Sequence, residues 1–137
     1  MSDVVIPRTK DLLLSGGRTI TIREELNHGE HNAMRARMYR EHTVGQTVMT
    51  VVDPLKISDA IIVAYLVDWN FTDPGGRRLE IRGLAPDDVQ AVLNNLKPSR
   101  VAEMKDAIEA HADALQRADD ELKKTDSIGE PSLAISR

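Results

Sequence analysis

The histidines His28, His31 and His42, and the run His28-Gly29-Glu30-His31 in particular, are the first residues to test for chemistry. Two imidazoles three positions apart share a helix face, as in many zinc sites. Zinc needs three or four ligands, however, and the His-Glu-x-x-His order is absent. Solvated or capping residues of a first helical turn account for the same positions. The run Asp68-Trp69-Asn70-Phe71-Thr72-Asp73 places oxygen donors at alternate positions, like the start of a calcium loop. The match then fails, because Asp73 stands where the sharp-turn glycine belongs and Leu79 where the bidentate acid belongs. A helix end followed by a Pro-Gly turn explains it. Arg35, Arg37 and Arg40 form a basic cluster that could hold nucleic acid, but no aromatics interleave with it. Glu24, Glu25, Glu30 and Glu41 are close enough in sequence to pair with it, which reads as a solvated, ion-paired face.

Nothing else in the chain suggests catalysis. Ser15-Gly16-Gly17 is followed by no Gly-Lys-Ser/Thr, and a strand comes next where a phosphate loop needs a helix. No Gly-x-Ser-x-Gly, Rossmann glycine set or kinase signature occurs, and no two carboxylates stand out as an acid–base pair. The expectation is a chain without enzymatic activity, metal or cofactor. His111 reads as a half-buried histidine satisfied by a neighbour; its alternative is a polar position that sets register in a helix–helix interface.

Composition narrows the classes further. The chain has 137 residues, 41% apolar and 29% charged, a length that suits one domain. It contains no cysteine, which excludes disulfides and thiolate chemistry. Eighteen basic against 22 acidic side chains give −4, the wrong sign for a generic phosphate binder. The longest apolar run, 60–67, is far short of the ~20 residues that span a bilayer. No basic region followed by a long apolar stretch opens the sequence, so no secretory signal is expected. The class is that of a cytosolic, soluble protein.

The elements that must position these residues follow from periodicity. Residues 10–23 read as a β-hairpin: Leu12-Leu13-Leu14, a Ser-Gly-Gly turn, then Arg18-Thr19-Ile20-Thr21-Ile22-Arg23 with strict alternation that aims Ile20 and Ile22 at a core. A helix is expected over about 28–42, capped by Asn27 with Glu30 three residues on, and with Leu26, Ala33, Met34 and Met38 along its apolar stripe. The uncharged, Val/Thr-rich segment 43–52 fits a short strand or an extended connection. A buried helix is expected over about 55–69, opened by Asp53-Pro54 or Ser58 and carrying Ile57, Ile61, Ile62, Tyr65, Leu66 and Trp69. After the Asp73-Pro74-Gly75-Gly76 turn, Leu79 and Ile81 suggest one short strand. Helices over 86–97 and 99–124 follow, the first opened by Pro86 with Asp87 and Asp88, the second capped by Ser99. Val101, Met104, Ile108, His111, Leu115, Ala118 and Leu122 recur three and four apart, like heptad core positions. Packing on the preceding helix is the expectation for that seam. Together these make an α+β domain over 1–124, an N-terminal β-hairpin packed on a mainly helical body of about four helices, with a flexible C-terminal tail over 125–137.

Three segments carry a family resemblance. The opening Leu-Leu-Leu-Ser-Gly-Gly-Arg-Thr-Ile-Thr-Ile-Arg, with Glu24 and Glu25 before Leu26, is one. Tyr65-Leu66-Val67-Asp68-Trp69-Asn70-Phe71-Thr72-Asp73 before Gly75 and Gly76 is the second, and the helix pair 86–97 and 99–124 with its loose tail is the third. In these, most of residues 10–124 resembles the tail assembly chaperones encoded in the tail-morphogenesis region of tailed bacteriophages. The resemblance implies a non-enzymatic protein of the host cytoplasm that binds the tape measure protein and supports assembly of the tail tube around it. A partner of that kind calls for exposed apolar area on an acidic body. The positions expected to supply it are Met34, Met38, Trp69, Phe71, Met104, Ile108, His111, Leu115, Ile128, Leu133 and Ile135. A homo-oligomer is an open possibility. The alternative reading is a structural virion protein, such as a head–tail connector or minor tail component, assembled as a ring. A small DNA-binding regulator using Arg35, Arg37 and Arg40 is a third, opposed by the acidic charge.

Overall fold

The computed structural model describes residues 3–135, with side chains through residue 124. β1 (Thr9–Leu13) and β2 (Thr19–Arg23) form the expected antiparallel hairpin, with Leu12 opposite Ile20 and Lys10 opposite Ile22. Ser15-Gly16-Gly17 turns between them, and Gly16 and Gly17 sit at φ 66° and 72°, where a Cβ would be strained. The period-2 alternation holds: Ile20 and Ile22 are fully buried, while Thr19, Thr21 and Arg23 are half-buried.

α1 (His28–Ala36) begins with the expected capping box. The Glu30 N–H donates to Asn27 Oδ1 at 2.8 Å and the Asn27 N–H donates back to Glu30 Oε1 at 3.0 Å. The predicted helix over 28–42 is nonetheless too long. It stops at Ala36, and residues 39–52 form a second hairpin, β3 (Tyr39–Val44) and β4 (Thr47–Val52), joined by a two-residue turn with Gly45 at φ 63°. Met34 and Met38 keep helical spacing, which carries a sequence reading past the break. The β-branched run after Gly45 offers Tyr39–Val44 a partner strand instead.

α2 (Pro54–Tyr65) is capped by Asp53, whose carboxylate accepts the Leu55 N–H at 3.0 Å, so Asp53 and not Ser58 opens it. The expected helix over 55–69 ends early as well. From Leu66 the chain becomes β5 (Leu66–Trp69), which adds to the free edge of β2 and completes a three-stranded sheet of order β1-β2-β5. An unbroken apolar run such as 60–67 fits a buried helix or a buried strand equally well, and only the waiting edge of β2 decides.

The expected strand at Leu79 and Ile81 reduces to a single bridge between Thr72 and Arg78. α3 (Pro86–Leu93) ends before the predicted 97, because residues 94–97 leave the helix in single turns with Asn95 N–H on Val92 O and Leu96 N–H on Leu93 O. α4 (Pro98–Ile135) starts at Pro98, which places Ser99 inside the first turn and not at the cap. Its side chains are described as far as Lys124, where the sequence reading ended the helix. The core lies between the sheet and the helices: Ile20, Ile22, Ile62, Trp69, Met104 and Ile108 are its largest fully buried side chains. No helix among the described residues is long and apolar enough to cross a membrane.

Among the described residues, one charged side chain enters this interior. Asp68 is 8% exposed, and its carboxylate accepts the Trp69 N–H at 2.9 Å and pairs with Arg78 at 2.8 Å and Arg82 at 3.3 Å. Desolvation pushes its pKa up, but the amide and the two guanidinium groups together outweigh that and hold it below the usual carboxylate range. A folded-state pKa below the unfolded one stabilises the fold above the unfolded value near 4, and that stabilisation is lost as pH falls through the folded value. We expect Asp68→Asn to lower stability by about 1–3 kcal/mol at pH 7 and to have a smaller effect at pH 3. Urea titrations at both pH values check this, and equal losses at the two would contradict it.

Candidate partner-binding groove

The aromatic segment around Trp69 is structural. The Trp69 indole N–H donates to Leu79 O at 2.7 Å, and its ring stacks on Phe71 with centroids 4.6 Å apart and planes 17° apart. Asn70 bonds back to the first hairpin, its side-chain oxygen accepting the Thr19 N–H at 2.9 Å and its side-chain amide donating to Gly17 O at 3.3 Å. Asp73 Oδ1 accepts the N–H groups of Gly75 and Arg77, both at 2.9 Å, and so shapes the Pro-Gly turn. The oxygens that resemble calcium donors are therefore engaged in holding the chain. The Arg100 guanidinium lies 5.7 Å above the Phe71 ring, donates to Ser15 Oγ at 3.2 Å and pairs with Glu103. The Glu103 carboxylate accepts the Ser15 N–H at 2.8 Å, and its pKa is lowered by that amide and by the Ser15 hydroxyl, with Arg100 adding to the effect.

These contacts correct part of the expected partner surface. Trp69, Phe71, Met104 and Ile108 are at most 4% exposed and belong to the core, so they present no area to a partner. Their apolar character gave no way to tell a buried stripe from an open one. Met38 is half-buried between α1 and β3. Ile128, Leu133 and Ile135 lie outside the residues whose side chains are described.

The remaining candidates come together. The seam of α4 is buried at Met104 and Ile108, half-buried at His111 and Leu115, and exposed at Ala118 and Leu122, the last at 54%. The later turns of α4 are thus less covered than the earlier ones among the described residues. The uncovered stripe forms one wall of an open groove of about 620 Å³. Leu26, Met34, Ile61 and Tyr65 form the opposite side, and Ala112, Leu115, Ala118 and Leu122 the α4 side. Of the expected positions, Met34 and Leu115 are brought to one surface, where Leu26, Ile61 and Leu122 join them.

The rim is acidic. Glu25, Glu109, Asp113 and Asp119 line it, with His31 the one basic side chain there. Glu109 and Asp119 are offset on their own helix by Lys105 at 3.2 Å and Lys123 at 3.3 Å, whereas Glu25 and Asp113 make no ion pair among the described residues. The Tyr65 hydroxyl at the groove floor has its pKa raised by burial and, secondarily, by the charge of Glu25. His111 sits beneath the groove with Nε2 2.7 Å from Glu24 O; a carbonyl only accepts, so Nε2 carries the proton, and the histidine ties α4 to the chain after β2. This is the satisfied histidine of the simpler reading.

The other candidates disperse. His28 bonds Asn32 on α1, and His42 stands on β3 beside Arg40. No group of metal-binding side chains gathers among the described residues. Arg37 pairs with Asp87 at 3.0 Å, and Arg40, a strand residue, lies 3.8 Å from Asp53, so the basic cluster is not one helix face. The sequence reading gave no role to the exposed β3–β4 arm, whose signals are the absence of charge and the valine- and threonine-rich composition over 43–52. Comparison with protein-family models, curated proteins and solved structures finds no match for this chain.

Proposed function

We propose that this protein is a non-enzymatic tail assembly chaperone of a tailed bacteriophage, which holds the tape measure protein in the host cytoplasm while tail subunits assemble around it. The resemblance of residues 10–124 supplies the family. The observation that carries the mechanism is the groove between α1, α2 and the later turns of α4, apolar at its floor and acidic at its rim. A long helical partner with an apolar stripe is insoluble by itself and needs that stripe covered reversibly. From Leu115 to Leu122 the groove runs about 10 Å along α4, enough for roughly two turns of a helix. The acidic rim fits a stripe flanked by lysine or arginine and disfavours acidic helices, so charge selects the partner while apolar contact supplies the affinity. An open groove on a small body covers only a short stretch of a long partner, so several copies would coat one tape measure chain.

Co-expression with the tape measure protein of the same tail gene cluster, followed by size-exclusion chromatography with light scattering, tests the reading. Co-elution with the partner is the expected result. A ring-sized oligomer that ignores the tape measure protein would overturn it in favour of a structural virion component.

A further inference from the structure

The β3–β4 arm is the part of the molecule that the proposed function leaves unused. Its two strands form a sheet of their own, and all of β4 except Val51 is exposed, with Val48 at 60%, Met49 at 48% and Val52 at 48%. A free two-stranded hairpin in water is only marginally stable. Its register settles which backbone groups are open. Val44 opposite Thr47 closes the two-residue turn, so the ladder bonds fall at 44/47, 42/49 and 40/51, and the Asp53 N–H on Met38 O at 2.7 Å continues the pattern. The N–H and C=O groups of Val48, Thr50 and Val52 therefore point away from β3, along an edge that no other strand among the described residues covers.

Exposed edges normally carry charges that prevent pairing. β1 has Lys10 and Asp11, β3 has Arg40 and Glu41, and β5 has Asp68; β4 alone, Thr-Val-Met-Thr-Val-Val, has no ionisable side chain. We infer that the β4 edge pairs antiparallel with the β4 edge of a second copy, about a two-fold axis through Thr50, to make a four-stranded sheet. The argument for a second copy is symmetry. Over residues 48–52 a two-fold pairing sets Thr50 against the same residue, Met49 against Val51 of the partner subunit and Val48 against Val52 of the partner subunit, so every opposed pair in that span is Thr–Thr or apolar. The same operation on β3 would oppose Glu41 to itself, and on β1 would oppose Asp11 to itself, each a like-charge contact. An edge built to select a different protein would carry charges or side-chain pockets to discriminate, and β4 has neither.

Five paired residues on each strand cover less than the ~1,200 Å² of a standard stable interface, so the association is weak and concentration-dependent. Sedimentation velocity of the full chain is expected to show the average mass rising towards twice the monomer over about 10–500 µM. Thr50→Lys puts like charges on the axis while facing Glu41 within its own hairpin, which supports the arm, and is expected to leave a monomer across that range. Because the chain has no cysteine, Thr50→Cys gives a single thiol at the axis. Directly opposed residues of this type have Cα atoms about 5.5 Å apart, within disulfide reach. Mild oxidation should cross-link it at least tenfold faster than Glu80→Cys, an exposed control on another surface. A wild-type chain that stays monomeric at 500 µM, or a dimer that survives Thr50→Lys, would overturn the inference, as would an arm that pairs only with the tape measure protein.

Discussion

Trp69→Ala is expected to lower the melting temperature by roughly 10–20 °C, the largest single-residue effect in this protein. The side chain is 2% exposed, stacked on Phe71 and bonded through its indole N–H to Leu79 O. Removing it opens a cavity and leaves that carbonyl unsatisfied, and truncations of this kind cost about 3–5 kcal/mol. The loss is larger than for an isolated core aromatic because Trp69 closes three connections. It ends β5 against Ile20, supports Phe71 under Arg100, and fixes the otherwise irregular segment after the Pro-Gly turn. Trp69→Phe should fall between wild type and alanine, since it keeps most of the ring packing and loses the hydrogen bond. Thermal melts followed by circular dichroism check the series. A shift below about 3 °C for alanine would mean that the segment repacks without the indole, contrary to this account.

The second large effect concerns binding and leaves the fold intact. Leu115→Asp combined with Leu122→Asp should weaken capture of the tape measure protein by about 100-fold, as two apolar contacts of about 1.5 kcal/mol each are replaced by charges. Leu115 is half-buried and Leu122 is more than half exposed, so the melting temperature should move by only a few degrees. Affinity measured on co-purified partner, beside a thermal melt of each variant, separates the two effects. Met104→Ala serves as the converse control: it should lower stability by about 2–5 kcal/mol while the folded fraction still binds. Capture undiminished in the double variant would remove the groove as the docking surface. If instead raising the salt concentration strengthened binding, the acidic rim would be repelling the partner and the proposed charge match would be wrong.

The contrast between these two variants reflects how far each feature was legible in the sequence. Local signals determined the local structure. Alternation at Ile20 and Ile22 announced a strand with one buried face, and Gly16 and Gly17 announced its turn. Asn27 with Glu30 and Asp53 before Pro54 marked two helix starts, because a cap is an interaction between residues two or three apart, and Pro86 with Asp87 and Asp88 marked a third, which has no side-chain cap, through the fixed φ of proline and the acids of its first turn. The heptad spacing from Val101 to Leu122 fixed which face of α4 is apolar. Composition fixed the acidic charge and the absence of thiol chemistry.

Whatever depended on a distant partner was left to the tertiary structure. The run 60–67 switches from helix to strand at Leu66 because β2 has a free edge at that height. Residues 39–44 leave the helix because a β-branched segment lies two residues beyond to pair with them. Trp69 and Leu115 carry equally apolar side chains in the sequence, yet one is sealed beneath Leu79 and the other lines an open groove. Burial is decided by which elements pack close enough to cover a position, and between α1, α2 and the later turns of α4 a groove stays open. The sequence by itself thus determined the first hairpin, the starts of α1, α2 and α3 and the apolar face of the last helix. Only the packed structure decided where that face runs out of cover, because a face is buried by neighbours distant in the chain and not by its own spacing.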